Sequence, residues 1–168
     1  MEASMDVKGL SATYFEPLIQ AYKAQVVHQT PEEYQAFYSQ LTEAQKSLFM
    51  FHVYYNHASK SMPDFFWWTG YFLTRPKIWN GIKKGLMFFE EYTLERLLDR
   101  LEELYKRHHW TGKLPGKTDS LDPKISTIIQ PYFLKYGCIS NKSLETIGEY
   151  ILGHPEEFVN PFVEKKTL

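Results

Sequence analysis

The densest run of apolar positions in the chain lies between Leu48 and Trp79, LFMFHVYYNHASKSMPDFFWWTGYFLTRPKIW. Just before and through its first half, Glu43 to Ala58 holds no strong helix breaker. Thr42 followed by Gln45 fits a capping box, in which the threonine hydroxyl accepts an orphan amide N–H at the helix start. Leu48, Phe49, Met50, Phe51, Val53, Tyr54 and Tyr55 point to every side of this predicted helix, and a helix that is apolar all round belongs in an interior. The run is too short and too interrupted to cross a bilayer, which needs about 20 apolar residues. Ser59-Lys60-Ser61 breaks the pattern. A second helix is predicted from Pro63 to Leu73, with proline in its first turn and Asp64 near the positive helix end. Phe65, Phe66, Trp67, Trp68, Tyr71, Phe72 and Leu73 make it apolar on more than one face. Each buried aromatic removes roughly 150–250 Å² from water, so the two segments are expected to form a central pair that the other helices enclose.

The remaining pattern predicts those other helices. Met1 to Leu10 carries no clear period and reads as a loose end. Thr13 with Glu16 suggests a capping box before a helix to about His28, with Phe15, Leu18, Ile19, Tyr22 and Val26 on its apolar face. Thr30-Pro31-Glu32-Glu33 is a helix start, with the helix running to about Gln40 and burying Tyr34, Phe37 and Leu41. Arg75-Pro76 marks a turn, and Lys77 to Phe89 is predicted helical with Ile78, Ile82, Leu86 and Phe89 on one stripe. Gly81 and Gly85, four apart, would let a neighbouring helix approach closely or would simply weaken their own helix. From Tyr92 or Thr93 onward, Leu94, Leu97, Leu98, Leu101, Leu104 and Tyr105 give a clean i, i+3, i+4, i+7 face. The opposite face is charged, with Glu102–Lys106 and Glu103–Arg107 at favourable spacing. Trp110 to Leu121 is predicted to be a loop. Asp122-Pro123 starts another helix, which Pro131 should kink or end and which Tyr136-Gly137 closes. Ser140 or Asn141 then caps a last helix with Leu144, Ile147, Ile151 and Leu152 inward and Gly153 after it. His154 to Phe158 reads as a short turn or helix, and Asn160 to Leu168 as a tail. No segment alternates over strand length. The chain is expected to be all-α, a single domain over 1–168 with loose termini at 1–10 and 160–168, and about seven or eight helices around the aromatic-rich one.

Composition changes this picture little. The 168 residues suit one domain with a real core, and an aromatic content of 17% argues against disorder. Nineteen basic against twenty acidic side chains leave a net charge of −1, which gives no electrostatic pointer to a membrane or a nucleic acid. The single cysteine, Cys138, excludes an intrachain disulfide and a cysteine-based zinc cluster. No signal-like start is present, so a cytoplasmic protein is expected.

Candidate chemistry centres on the dense run. His52 and Asn56 share a helix face one turn apart, whereas His52 and His57 lie about 140° apart around the helix and cannot easily hold one metal ion. A hydrogen-bonded core histidine is the expected role of His52. Trp67 and Trp68 are adjacent and cannot both face one way, so one of them is expected at the surface, in a groove or an interface. A ligand pocket would draw on His52, Asn56, His57, Trp67 and Trp68. No metal ligand set, phosphate loop or nucleophile elbow is present, and no cofactor is expected. His108-His109 suits the negative end of its helix. Cys138 has no base that the sequence places beside it. Arg75, Lys77, Lys83 and Lys84 form a small basic cluster of the kind any surface offers.

Three stretches carry a resemblance. Val53-Tyr54-Tyr55-Asn56-His57-Ala58 with Phe65-Phe66, the two-helix layout from Gly81 to Tyr105, and the ending Tyr150-Ile151-Leu152-Gly153-His154-Pro155-Glu156-Glu157-Phe158 are in sequence. Together they resemble, over Gln40 to Phe158, a bacterial all-helical family named for a DNA-mimic protein and mostly of unknown function. Where that family has two glycines after the asparagine, this chain has His57-Ala58. The resemblance implies an all-α fold, and imitation of DNA toward a repressor as the namesake activity. That activity needs strong negative charge, which a net −1 does not supply. The expected function is therefore protein–protein contact without catalysis, with a homodimer as the first form. A small-molecule or hydrolytic site near His52, Asn56 and Trp67 is the alternative, and a regulator that binds a transcription factor a further one.

Overall fold

In the computed structural model, residues 5–110 and 120–163 are described, and they form seven α-helices and one short 3₁₀ helix. The helices are α1 (Val7–Gln25), α2 (Pro31–Ser39), α3 (Glu43–Ala58), α4 (Met62–Leu73), α5 (Pro76–Phe88), α6 (Tyr92–Arg107) and α7 (Pro123–Gly153), followed by the 3₁₀ turn Pro155–Phe158. The described residues contain no strand. Most of the loop predicted between Trp110 and Leu121 lies outside them.

Helix α3 is the hub. It packs on α1, α4 and α5 and on the 3₁₀ turn. Both capping boxes predicted from sequence are formed, Thr30 with Glu33 and Thr42 with Gln45. Phe49 shows why an all-round apolar helix ends up central: its ring lies 5.3–5.8 Å from those of Phe15, Tyr22, Phe37 and Tyr38. Helix α5 comes against α3 at Gly85, where an added Cβ would stand 3.0 Å from the Ser47 carbonyl oxygen. Close approach is thus the role of that glycine. Helix α6 buries all six residues of its apolar face, Leu94, Leu97, Leu98, Leu101, Leu104 and Tyr105. It is clasped to α5 by Lys83, which reaches Asp99 at 2.9 Å and Glu102 at 3.4 Å, and by Trp79, whose indole N–H donates to Glu102 at 3.0 Å. The basic cluster read from sequence is thereby partly neutralised.

Three expectations are corrected. First, Val7 to Leu10 is not a loose end. Asp6 caps α1 by accepting the Gly9 N–H at 3.1 Å, so the helix begins about two turns earlier than a cap at Thr13 would place it. Thr13 instead donates to the Gly9 carbonyl from inside the helix. The early start is held by α7, because Gly148 lets the Val7 carbonyl come where a Cβ would lie 2.0 Å away. The same helix ends at Gln25, short of His28, and Gln29 turns the chain with φ 54°.

Second, α7 runs unbroken through Pro131 and Gly137 for 31 residues. Pro131 is exposed, and the hydrogen bond that its ring removes is one among many in a helix fastened on α1, α4 and α6. The packing of Ile129, Tyr136, Ser140, Ser143, Ile147 and Ile151, all buried, outweighs two local penalties.

Third, Asn160 to Val163 does not hang free. The Asn160 side chain accepts the Phe162 N–H at 2.9 Å, and the Phe162 ring stacks on Phe37 at 6.0 Å. Upstream, Thr42 donates to the Glu157 carbonyl and Gln45 to the Val159 carbonyl, both at 2.8 Å, which straps the end of the chain to the start of α3.

Candidate functional site: the outer face of α4

Helix α4 buries Phe65, Phe66, Thr69, Gly70 and Phe72. Two hydroxyl bonds fix its rotation. Tyr54 on α3 lies 2.7 Å from the Thr69 hydroxyl, and Tyr105 on α6 donates to the Phe66 carbonyl at 2.7 Å. Burial holds both phenols well above their usual range, so both stay protonated and keep these bonds. With that face inward, Trp67, Trp68 and Tyr71 are left half-buried on the other side.

These rings form a connected surface cluster. Trp67 and Trp68 meet edge to face at 4.8 Å, and neither is fully buried. Trp67 stacks on Tyr71 at 5.2 Å. The Arg75 guanidinium lies 3.6 Å over the Tyr71 ring, a cation–π contact, and its Nη1 donates to the Tyr71 carbonyl at 3.2 Å. From α3, His57 stacks on Trp68 at 3.9 Å. A chain of π contacts therefore runs from Arg75 through Tyr71 and the two tryptophans to His57. Tyr71 and Arg75 are the members that the sequence reading left out of the candidate set. The spacing of Tyr71 from Trp67 and Trp68 on one helix, i+4 and i+3, was the available signal, with Arg75 four residues beyond Tyr71 in the turn after α4.

His52 and Asn56 belong to a different neighbourhood. His52 is 2% exposed, and its ring stacks on Phe15 of α1 at 4.7 Å. Its Nε2 lies 3.1 Å from the Ser11 hydroxyl and its Nδ1 3.2 Å from the Asn56 side-chain oxygen. Burial pushes its pKa down to about 4, against a smaller upward pull from the Asn56 hydrogen bond. At neutral pH this is an uncharged, hydrogen-bonded core histidine that ties α1 to α3. Asn56 itself is exposed. The five sequence candidates thus split into His57, Trp67 and Trp68 on the α4 side and His52 with Asn56 on the α1 side.

Open grooves among the described residues lie elsewhere. One of about 460 Å³ runs over Gly81 and Gly85 between α3 and α5, one of about 440 Å³ lies between the end of α3 and α7, and one of about 350 Å³ lies between the α6 start and α7. Their lining residues include none of the five candidates. Among the described residues no group of three His, Cys, Asp or Glu side chains could hold a metal ion, and no helix is long and apolar enough to cross a membrane. Comparison of the chain with protein-family models, with curated proteins and with solved structures finds no match.

Proposed function

We propose that this chain is a helical interaction module that works through contact with another protein, a second copy of itself in the first instance, and that the outer face of α4 makes the contact. The observation that carries this reading is the half-buried Trp67–Trp68–Tyr71 cluster with Arg75 seated on it. Tryptophan, tyrosine and arginine are the side chains that most often dominate binding energy at protein interfaces. These rings are already locked against one another, so little rotamer freedom is lost when a partner covers them. The main anchors of α4 are Phe65, Phe66, Thr69 and Phe72, all buried, while Trp67, Trp68 and Tyr71 keep part of their surface in reach of a partner.

Light scattering on a sizing column at micromolar concentration tests the reading. The expected mass is about twice the 19.9 kDa of the chain. The double substitution Trp67→Ala and Tyr71→Ala is expected to return the mass to that of one chain while the helical circular dichroism is kept. A monomer at every concentration refutes the self-association, as does a dimer that the double substitution leaves intact.

A further inference from the structure

Gly137 has no packing reason to be glycine. It sits inside α7, and a Cβ built on it meets nothing within 4 Å among the described residues. Gly85 and Gly148 differ, since each admits a neighbouring backbone. An interior glycine weakens a helix. What this one does is leave open the groove of about 440 Å³ between the end of α3 and the middle of α7.

The groove has a hydroxyl floor and aromatic walls. Tyr136 is 1% exposed, with its ring 5.0 Å from Phe65 and 5.7 Å from Tyr54. Its hydroxyl lies 2.9 Å from Ser59 Oγ. Ser140 sits beside the same phenol and reaches the Gly137 carbonyl at 3.4 Å. Three hydroxyls carry three donors. The Ser59–Tyr136 pair uses one and the Gly137 carbonyl takes a second, so one O–H and several lone pairs remain for an occupant. Tyr55 and Phe133, both half-buried, flank this floor. Among the described residues, no Asp, Glu, Lys, Arg or His lines the groove. A charged ligand would lose hydration there with no countercharge to replace it. A flat ring would find aromatic walls, and the volume lies within the range of small-molecule sites.

We infer that this groove binds a small uncharged ring-bearing molecule that carries a hydroxyl or carbonyl group. The site is separate from the α4 face and does not depend on it.

The chain supplies its own reporter. Cys138 is its one cysteine, is exposed and lines the groove. Its alkylation by iodoacetamide is followed with and without 4-hydroxybenzamide or 4-hydroxyacetophenone as neutral probes. Either probe is expected to slow alkylation saturably, by about tenfold at a concentration about ten times its Kd, by mass action. Gly137→Leu puts a side chain into the open space on a helix that prefers leucine to glycine. It is expected to fold with an equal or higher Tm and to lose the protection. Ser59→Ala is expected to weaken the probe's Kd by about fivefold to tenfold. Alkylation that neither probe slows up to its solubility limit overturns the inference. So does equal protection in Gly137→Leu, and so does protection by 4-hydroxybenzoate as strong as that by the neutral probes.

Discussion

Lowering the pH from 7.5 to 5 places a measurable load on one side chain. His52 is held near pKa 4 by burial, against an ordinary 6.5. A histidine whose folded pKa is depressed takes up its proton more readily in the unfolded chain. The stability it contributes is therefore full above about pH 6.5 and is lost as the pH falls from there toward 4. Integrating over the two pKa values gives a loss of about 2 kcal/mol at pH 5. Among the described residues, the groups facing His52 are Ser11 and Phe15 from α1 and Phe51, Tyr55 and Asn56 from α3, all uncharged, so none of them rescues the imidazolium. The carboxyls of Glu33, Glu43, Glu102 and Glu145 are held below their ordinary range by their partners and titrate under this window. Urea unfolding at pH 7.5 and at pH 5 measures the difference in the wild type and in His52→Gln, which keeps an amide for Ser11 and Asn56 but cannot titrate. The variant is expected to be less stable at pH 7.5, because the glutamine loses the ring stack on Phe15. Its loss between the two pH values should be smaller than the wild type's by about 2 kcal/mol. An identical pH dependence in both proteins would refute the assignment of the titration to His52.

The remaining predictions concern glycines and clasps. Gly148→Ala and Gly137→Ala should act with opposite sign in thermal unfolding. The first drives a Cβ into the Val7 carbonyl and should cost about 1–3 kcal/mol or more, while the second meets open space and should stabilise α7 by about 1 kcal/mol. Glu102→Ala removes the acceptor of the largely buried Trp79 indole N–H and one of the two carboxylates on Lys83. A loss of about 1–3 kcal/mol in urea unfolding is expected, mostly from the orphaned indole, since the exposed Lys106 partner contributes little. Tyr105→Phe removes a fully buried hydroxyl bond to the Phe66 carbonyl. It should cost about 1 kcal/mol and loosen α4, visible as faster amide exchange at the α4 end nearest that carbonyl.

What could be read along the chain was whatever is local to it. Thr30 with Glu33 and Thr42 with Gln45 are three apart, so their reciprocal bonds follow from residue type and spacing alone. The leucine face of α6 follows from its period in the same way. Pro131 and Gly137 misled because their penalties are local while the packing that overrides them is not: α7 lies along α1, α4 and α6, and none of those contacts is written near Pro131. Val7 to Leu10 misled for a related reason. That stretch has almost no apolar period of its own, and its helix is secured by Asp6 on one side and by a glycine at the far end of the sequence on the other. His52 was legible as a core residue from its apolar neighbours, but its partner Ser11 was not, since a serine at that position has no mark to separate it from any other. The π chain on α4 was half legible. Trp67 and Trp68 announce themselves, whereas Arg75 looked like part of a basic cluster until its guanidinium was seen over Tyr71.

The division of labour around α4 explains why so aromatic a helix leaves rings in reach of solvent. A helix packed on one side can bury about half of its circumference, and α4, set against α3, α5, α6 and α7, spends that half on Phe65, Phe66, Thr69 and Phe72. Two of those contacts are more than apolar. The Tyr54–Thr69 and Tyr105–Phe66 hydroxyl bonds are buried and directional, and a rotation of α4 by one residue, about 100°, would break both and leave two phenols unsatisfied in the interior. Rotating the helix to hide Trp67 and Tyr71 is therefore blocked by a cost of several kcal/mol. The rings instead satisfy each other edge to face and by stacking, with His57 and Arg75 at the two ends. Such a face is preorganised whether or not anything covers it. Substitutions of Tyr54, Thr69 or Tyr105 should unsettle the fold and the face together, because the bonds they make set the rotation that presents the rings.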